Sequence, residues 1–147
     1  MQEHQRSGYP LVSYESERPL KDFDLIALSI SFENDYLNLP LIFKLGQVPL
    51  YAEQRDQSHP LVLFGGVCAF LNPEPLADIA DIVAVGEAEP ILPHFIDAFQ
   101  VFSEGLTSDL DPFKGLPGIY LPAQVAVTYE EDGTLAPLSG PPVRRVY

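Results

Sequence analysis

Residues 60–89 read PLVLFGGVCAFLNPEPLADIADIVAVGEAE, and this stretch decides the fold. It opens on Leu61–Phe64 (LVLF) and nears its end with Ile82–Val85 (IVAV), two short runs nearly free of polar residues. Such runs suit strands buried on both faces of a parallel sheet. A third run of the same design, Leu25–Ile30 (LIALSI), lies upstream. Each is followed by a punctuated loop and then a helical pattern, and strand-helix alternation implies right-handed crossovers in a doubly wound α/β sheet.

The loops carry their own signals. After the first run, an apolar segment spans Tyr36–Leu45 and closes on Gly46. Pro40 is tolerated only in a first turn, so a helix is expected with Asn38 as its cap and Gly46 in the left-handed position just past its end. After the second run, Gly65-Gly66 offers a turn with positive φ. Asn72-Pro73-Glu74-Pro75 then reads as a helix start reaching about Ala80, with Asn72 capping and Glu74 complementing the dipole. After the third, Gly86-Glu87-Ala88-Glu89 leads into Pro90 and a periodic segment, with Ile91, Leu92, Phe95, Ile96 and Phe99 on one side, expected to end near Phe102. Leu11–Tyr14 can add an edge strand. Residues 1–112 are expected to form the α/β domain. Residues 113–147 are rich in Pro and Gly and read as a β extension or connector, with strand-like Ile119–Leu121, Val125–Tyr129 and Val143–Val146 and a turn at Glu131-Asp132-Gly133.

Composition excludes several classes. The 147 residues fit one domain, and 46% apolar with 20% charged residues is a folding composition. Eight basic against 21 acidic residues give a net charge of −13, with no Lys or Arg between Arg55 and Lys114, a surface that repels nucleic-acid phosphates. No apolar run approaches the ~20 residues that span a bilayer, and the start lacks the apolar core of a signal peptide. One cysteine, Cys68, allows neither an intrachain disulfide nor a cysteine cluster site. The expected location is the cytoplasm.

In open parallel sheets ligands bind at the carboxyl ends of the strands. Those ends carry Ser29, Ser31 and Glu33, then Gly65, Gly66 and Cys68, then Gly86, Glu87 and Glu89. Helix starts at Asn72 and Pro90 are expected to face the same crevice with free N–H groups suited to an anionic group. No catalytic and no metal-ligating residue is assigned.

SISFENDYLN (residues 29–38), the 60–89 stretch and LPGIYLPA (residues 116–123) resemble the N-terminal region of radical S-adenosylmethionine (SAM) proteins that carry a cobalamin-binding-like domain. In that family GG-P, NPEP and GEGE motifs recur in this order; here Val67 replaces the proline after GG and Ala88 the third residue of GEGE. The resemblance implies a flavodoxin-like (B12-binding-like) fold ahead of a barrel that holds a [4Fe-4S] cluster through CxxxCxxC and cleaves SAM, a motif not present in this chain. It also implies a cofactor pocket: Ser29, Ser31, Gly65 and Gly66 stand where cobalamin domains show SxL and GG, joined by Gly86 and Glu87. The DxHxxG motif of the lower ligand has no counterpart, because His4 has Gln2 and Ser7 where Asp and Gly are needed, and His59 and His94 fall too late. The expected reason is that a preceding β-α unit lies outside this sequence.

The leading expectation is an accessory domain that helps form the cobalamin or substrate side of a radical SAM active site, with its own downstream barrel as partner. The alternative is a docking domain with a vestigial pocket and no cofactor. A self-contained hydrolase using Glu33 and Glu87 ranks last, because no nucleophile-base pair is recognisable.

Overall fold

A computed structural model of the chain describes residues 8–105, 109–126, 128–134, 140 and 143–147. His4, Gln2 and Ser7 lie outside the described residues, as do Val127 and residues 135–139 of the tail. Among the described residues the sheet has four strands in the order β1-β2-β3-β4: β1 Leu25–Ser29, β2 Leu61–Gly65, β3 Ile82–Ala84 and β4 Ile119–Tyr120. The first three run parallel and β4 pairs antiparallel with β3. This is an open, mostly parallel α/β sheet of the flavodoxin-like kind.

Alternation along β2 shows why its four apolar residues sit side by side. Val62 and Phe64 enter one core, with Leu39, Phe43, Cys68 and Leu76. Leu61 and Leu63 enter the other, with Ile82, Ile91, Phe95 and Phe113. A strand covered on both faces has no solvent side to mark with polar residues.

Among the described residues three α-helices cover the faces: α1 Leu39–Gly46, α2 Val67–Leu71 and α3 Ala88–Ser103. α1 and α2 lie on the Phe64 face and α3 on the Leu63 face. Ile91, Phe95 and Ala98 of α3 are buried, while Leu92 and Ile96 turn half to solvent at 44% and 50% exposure. Its inward ring row stacks Phe95 on Phe99 and meets Phe113, whose centroid is 5.3 Å from that of Phe95.

Three local expectations are corrected. Gly46 is the last residue of α1, not the left-handed one; Gln47 takes that conformation at φ 57°. Gly46 is small because Leu20 lies against it, 3.2 Å from where a Cβ would stand. NPEP does not open a helix. It forms a single 3-10 turn, Glu74–Leu76, while the helix of this crossover is α2, directly after the glycine pair. Pro73 and Pro75 each remove an N–H, and Pro75 disfavours a helical residue before it. Finally, Leu11–Tyr14 makes no strand: Val12 forms an isolated bridge to Pro19, and the Leu11 N–H donates to Leu45 O.

Where it is described, the tail meets the sheet at two places. β4 extends it, and Val146 forms an isolated parallel bridge with Gly86. The expected turn at Glu131–Gly133 is present, closed by the Gly133 N–H on Glu130 O.

Candidate functional site

The route of the chain creates a crevice before any side chain is considered. The loop after β2 leaves toward α2 on one face, and the loop after β3 leaves toward α3 on the other. Neighbouring strands whose connections part in this way leave a cleft between their carboxyl ends, the usual ligand position in open α/β sheets. Its two walls are the Gly65-Gly66 and Gly86-Glu87 turns.

Ser29 and Gly65 are register partners at the ends of β1 and β2. Gly66 has φ 92°, and a Cβ there would stand 2.6 Å from Ile30 O and 2.9 Å from Ser29 Oγ. The positive φ expected of the pair belongs to Gly66; Gly65 takes an ordinary φ with Ala84 in ordinary contact, its Cβ at 3.8 Å and its carbonyl at 4.0 Å. Ser29 and Ser31 are exposed. Four of the six expected site residues, Ser29, Ser31, Gly65 and Gly66, thus gather at the β1-β2 end.

Gly86 and Glu87 lie on the far wall and are engaged by the chain's own tail. Gly86 has φ 151°, and a Cβ there would stand 2.3 Å from Val146 O. The Glu87 N–H donates to Val146 O at 2.8 Å, and the Val146 N–H reaches Val85 O at 3.4 Å. The Gly118 N–H donates to Arg144 O at 3.1 Å, and a Cβ on Gly118 would meet both Ile91 and the Val146 side chain. On the opposite wall Arg145 lies 4.8 Å over the Phe70 ring, and Tyr147 meets the same ring edge-on at 5.8 Å.

Of the two expected helix starts, the one at Asn72 is corrected, since the helix of that crossover begins at Val67. The Cys68 N–H at the start of α2 donates to Ile30 O, and the Glu87 N–H just before α3 to Val146 O; amides already bonded to carbonyls are not available to an anion. Asn72 does not cap a helix start; it stands at the carboxyl end of α2, its N–H donating to Cys68 O, and its Oδ1 accepts from the Glu74 N–H at 3.2 Å.

Other singled-out residues have structural partners. Cys68 is buried in the core, where burial first, and then the Glu33 carboxylate, push its thiol above the ordinary value, opposed by the Tyr36 hydroxyl. Glu74 accepts from the Tyr120 hydroxyl at 2.7 Å; that phenol is pushed well above its usual range by burial and by this carboxylate. The bond ties the NPEP and LPGIY segments to each other. His59 sits in a surface turn, with Nδ1 2.9 Å from Asp56 Oδ1. Among the described residues no group of three or more His, Cys, Asp or Glu is placed to hold a metal ion.

Sequence reasoning missed Arg55 and Asp81. The Arg55 guanidinium, 3% exposed, makes a two-pronged pair with Asp81 and donates to Pro49 O and Leu50 O, both at 3.0 Å. Asp81 Oδ2 also accepts the Val62 N–H at 2.7 Å. This clamp closes the amino end of the sheet and forms the floor of an open recess of about 990 Å³ there. With its donors used on carbonyls and a carboxylate, the clamp is structural. The only advance signal was a lone arginine at the edge of a long stretch without cations.

A cobalamin suits this geometry poorly. Its nucleotide tail would have to enter between the glycine turns, where Ile30, Ser29 and Val146 already fill the spaces the glycines open. Of the described histidines, His59 precedes β2 at the amino end and His94 is exposed on α3. With Val146 in place these residues do not fit the group.

Known proteins resemble the chain in part. The family described as "Radical SAM proteins, N-terminal" matches residues 1–122. An uncharacterized protein of Methanocaldococcus jannaschii is 31% identical over 70 residues, which cover 48% of this chain and 14% of that protein. The match thus spans about a seventh of the length of that relative. No solved structure matches. Val143–Tyr147 lies beyond the matched residues.

Proposed function

The chain belongs to the family of N-terminal domains of radical SAM proteins, and from that premise we propose that it is an accessory domain whose carboxyl-end face lies against a downstream catalytic barrel and forms the substrate side of its active site, without holding cobalamin. The observation that carries this reading is an apolar rim left open at the carboxyl ends of β1 and β2. Phe32 is 70% exposed and Leu37 81%, both in the loop after β1. Val67 and Leu71, 50% and 61% exposed, stand one turn apart on α2 and share one of its faces. The two loops are tied by the Cys68 N–H on Ile30 O, so these side chains border one region. Contiguous exposed apolar surface rimmed by polar groups marks an interaction site. Glu33, Asp35, Glu87 and Glu89 supply the rim, and they favour a partner surface with cations at matching positions.

This chain's contribution is shape and exclusion of water. Its buried Cys68 stands alone as a thiol, so the cluster ligands and the reductive cleavage of SAM belong to the barrel. The cobalamin-binding reading keeps one point of support, the order of Ser29-Ile30-Ser31 and Gly65-Gly66, against the poor fit of the crevice.

Titrating the chain with aquocobalamin under visible absorbance separates the two. The spectrum stays that of the free cofactor and none co-elutes on gel filtration if the crevice is filled by the tail. A shifted spectrum with retained cofactor would replace the present reading by the cobalamin-binding one. Independently, the coding sequence beyond Tyr147 is expected to carry CxxxCxxC, and a stop codon there would remove the barrel from the account.

A further inference from the structure

We propose that the cleft between the β2 and β3 carboxyl ends is a peptide-binding groove, and that its resident is the chain's own Val143–Tyr147. Three observations meet on this segment. The first is backbone pairing: Val146 runs parallel to the Gly86 turn, gives its carbonyl to the Glu87 N–H and reaches Val85 O with its N–H. This is the addition of an extended segment to a strand end, in which main-chain bonds supply the affinity. The second is steric. Gly86 has no room for a side chain because the Val146 backbone is against it, and at Gly118 the Val146 side chain, 3.1 Å from the Cβ position, adds to the closer Ile91 side chain. The third is side-chain recognition on the other wall, where Phe70 takes Arg145 on its face and Tyr147 on its edge.

The sequence of the segment suits the groove. Within a chain of net charge −13, Arg144-Arg145 is an adjacent cation pair, drawn to a face whose rim carries Glu33, Glu87 and Glu89. Val146, alone of the five, is drawn inward, while its neighbours stay exposed. The groove thus selects an extended strand with arginine beside a β-branched residue and an aromatic after it, not a small-molecule cofactor. A ligand can take the Glu87 N–H only by lifting this strap, while the Glu87 side chain stays exposed beside it. The Ser29-Ser31 side of the crevice stays accessible with the strap in place.

Amide hydrogen exchange tests the assignment directly, and it is decided by this chain alone, so its outcome is separate from that of the radical SAM reading. Exchange is followed by NMR in three forms: the whole chain, a chain ending at Pro142, and Val146→Asp, which places a charge in the groove without altering its walls. The Glu87 and Gly118 amides are expected to exchange at least tenfold faster in the two altered forms, while Val62 and Phe64 in β2 keep their rates and report that the sheet is intact. Trypsin is expected to cut after Arg144 and Arg145 several-fold faster in Val146→Asp than in the unaltered chain. Equal exchange at Glu87 and Gly118 in all three forms, with equal cleavage, would overturn the proposal.

Discussion

At the scale of single residues, the glycine pair shows what a sequence can and cannot announce. That Gly65-Gly66 makes a turn with positive φ and a close approach could be read in advance; which group approaches could not. A bare backbone position signals that something comes near, and here it is Ile30 of the adjacent strand end at Gly66 and Val146 at Gly86. The two glycines of the pair are therefore unequal. Gly66→Ala forces a side chain at φ 92° into backbone 2.6 Å away and is expected to cost well over about 1 kcal/mol. Gly65→Ala meets only ordinary contact and is expected to stay within about 0.5 kcal/mol. Urea melts of the two variants check this, and a matched loss would show that the turn is not built as described. Tyr120 gives a prediction in pH. Its folded phenol titrates above its unfolded value of about 10, so its contribution is complete below pH ~10 and is lost as pH rises beyond that. Tyr120→Phe removes the titrating group together with the Glu74 bond. It is expected to lower stability at pH 7 by about 1 kcal/mol and to flatten the decline above pH ~10. An alkaline limb identical to that of the unaltered chain contradicts the assignment.

At the scale of elements, the three parallel strands, the start of α1 after Asn38 and the span of α3 were readable because each rests on an unbroken apolar run, a helical apolar period or a proline near a helix start. The β2–β3 crossover was misread for a physical reason. NPEP carries strong start signals, but two prolines leave too few N–H groups to propagate a helix, and the apolar VCAFL beside the glycine turn forms it instead. The Arg55–Asp81 clamp was invisible because its partners come from the β1–β2 connection and the entry to β3, 26 residues apart. Breaking a buried pair leaves an uncompensated charge, so Arg55→Ala is expected to destabilise by about 3–5 kcal/mol. Lys44→Ala, at an exposed position on α1, is expected to cost well under about 1 kcal/mol. Denaturant midpoints at constant slope compare the two. A loss at Arg55 no larger than at Lys44 would show that the clamp does not close the sheet.

At the scale of the whole molecule, the fold class followed from the alternation of buried strands and helices. Of the candidate site, the placement of Ser29, Ser31, Gly65 and Gly66 at one end of the sheet could be anticipated. The filling of the Gly86 wall could not, since it depends on a segment far along the chain, Val146, that returns across the sheet. The consequence is a domain with a closed cleft on one side and an open apolar rim on the other, the rim that the proposed reading sets against a neighbouring catalytic unit. The most direct measurement of that account is made on the complete gene product, reconstituted anaerobically with iron and sulfide and supplied with SAM and a reductant. The account predicts about four irons per chain and release of 5′-deoxyadenosine, with no cobalamin required for either. A product that holds no cluster and leaves SAM intact would contradict it.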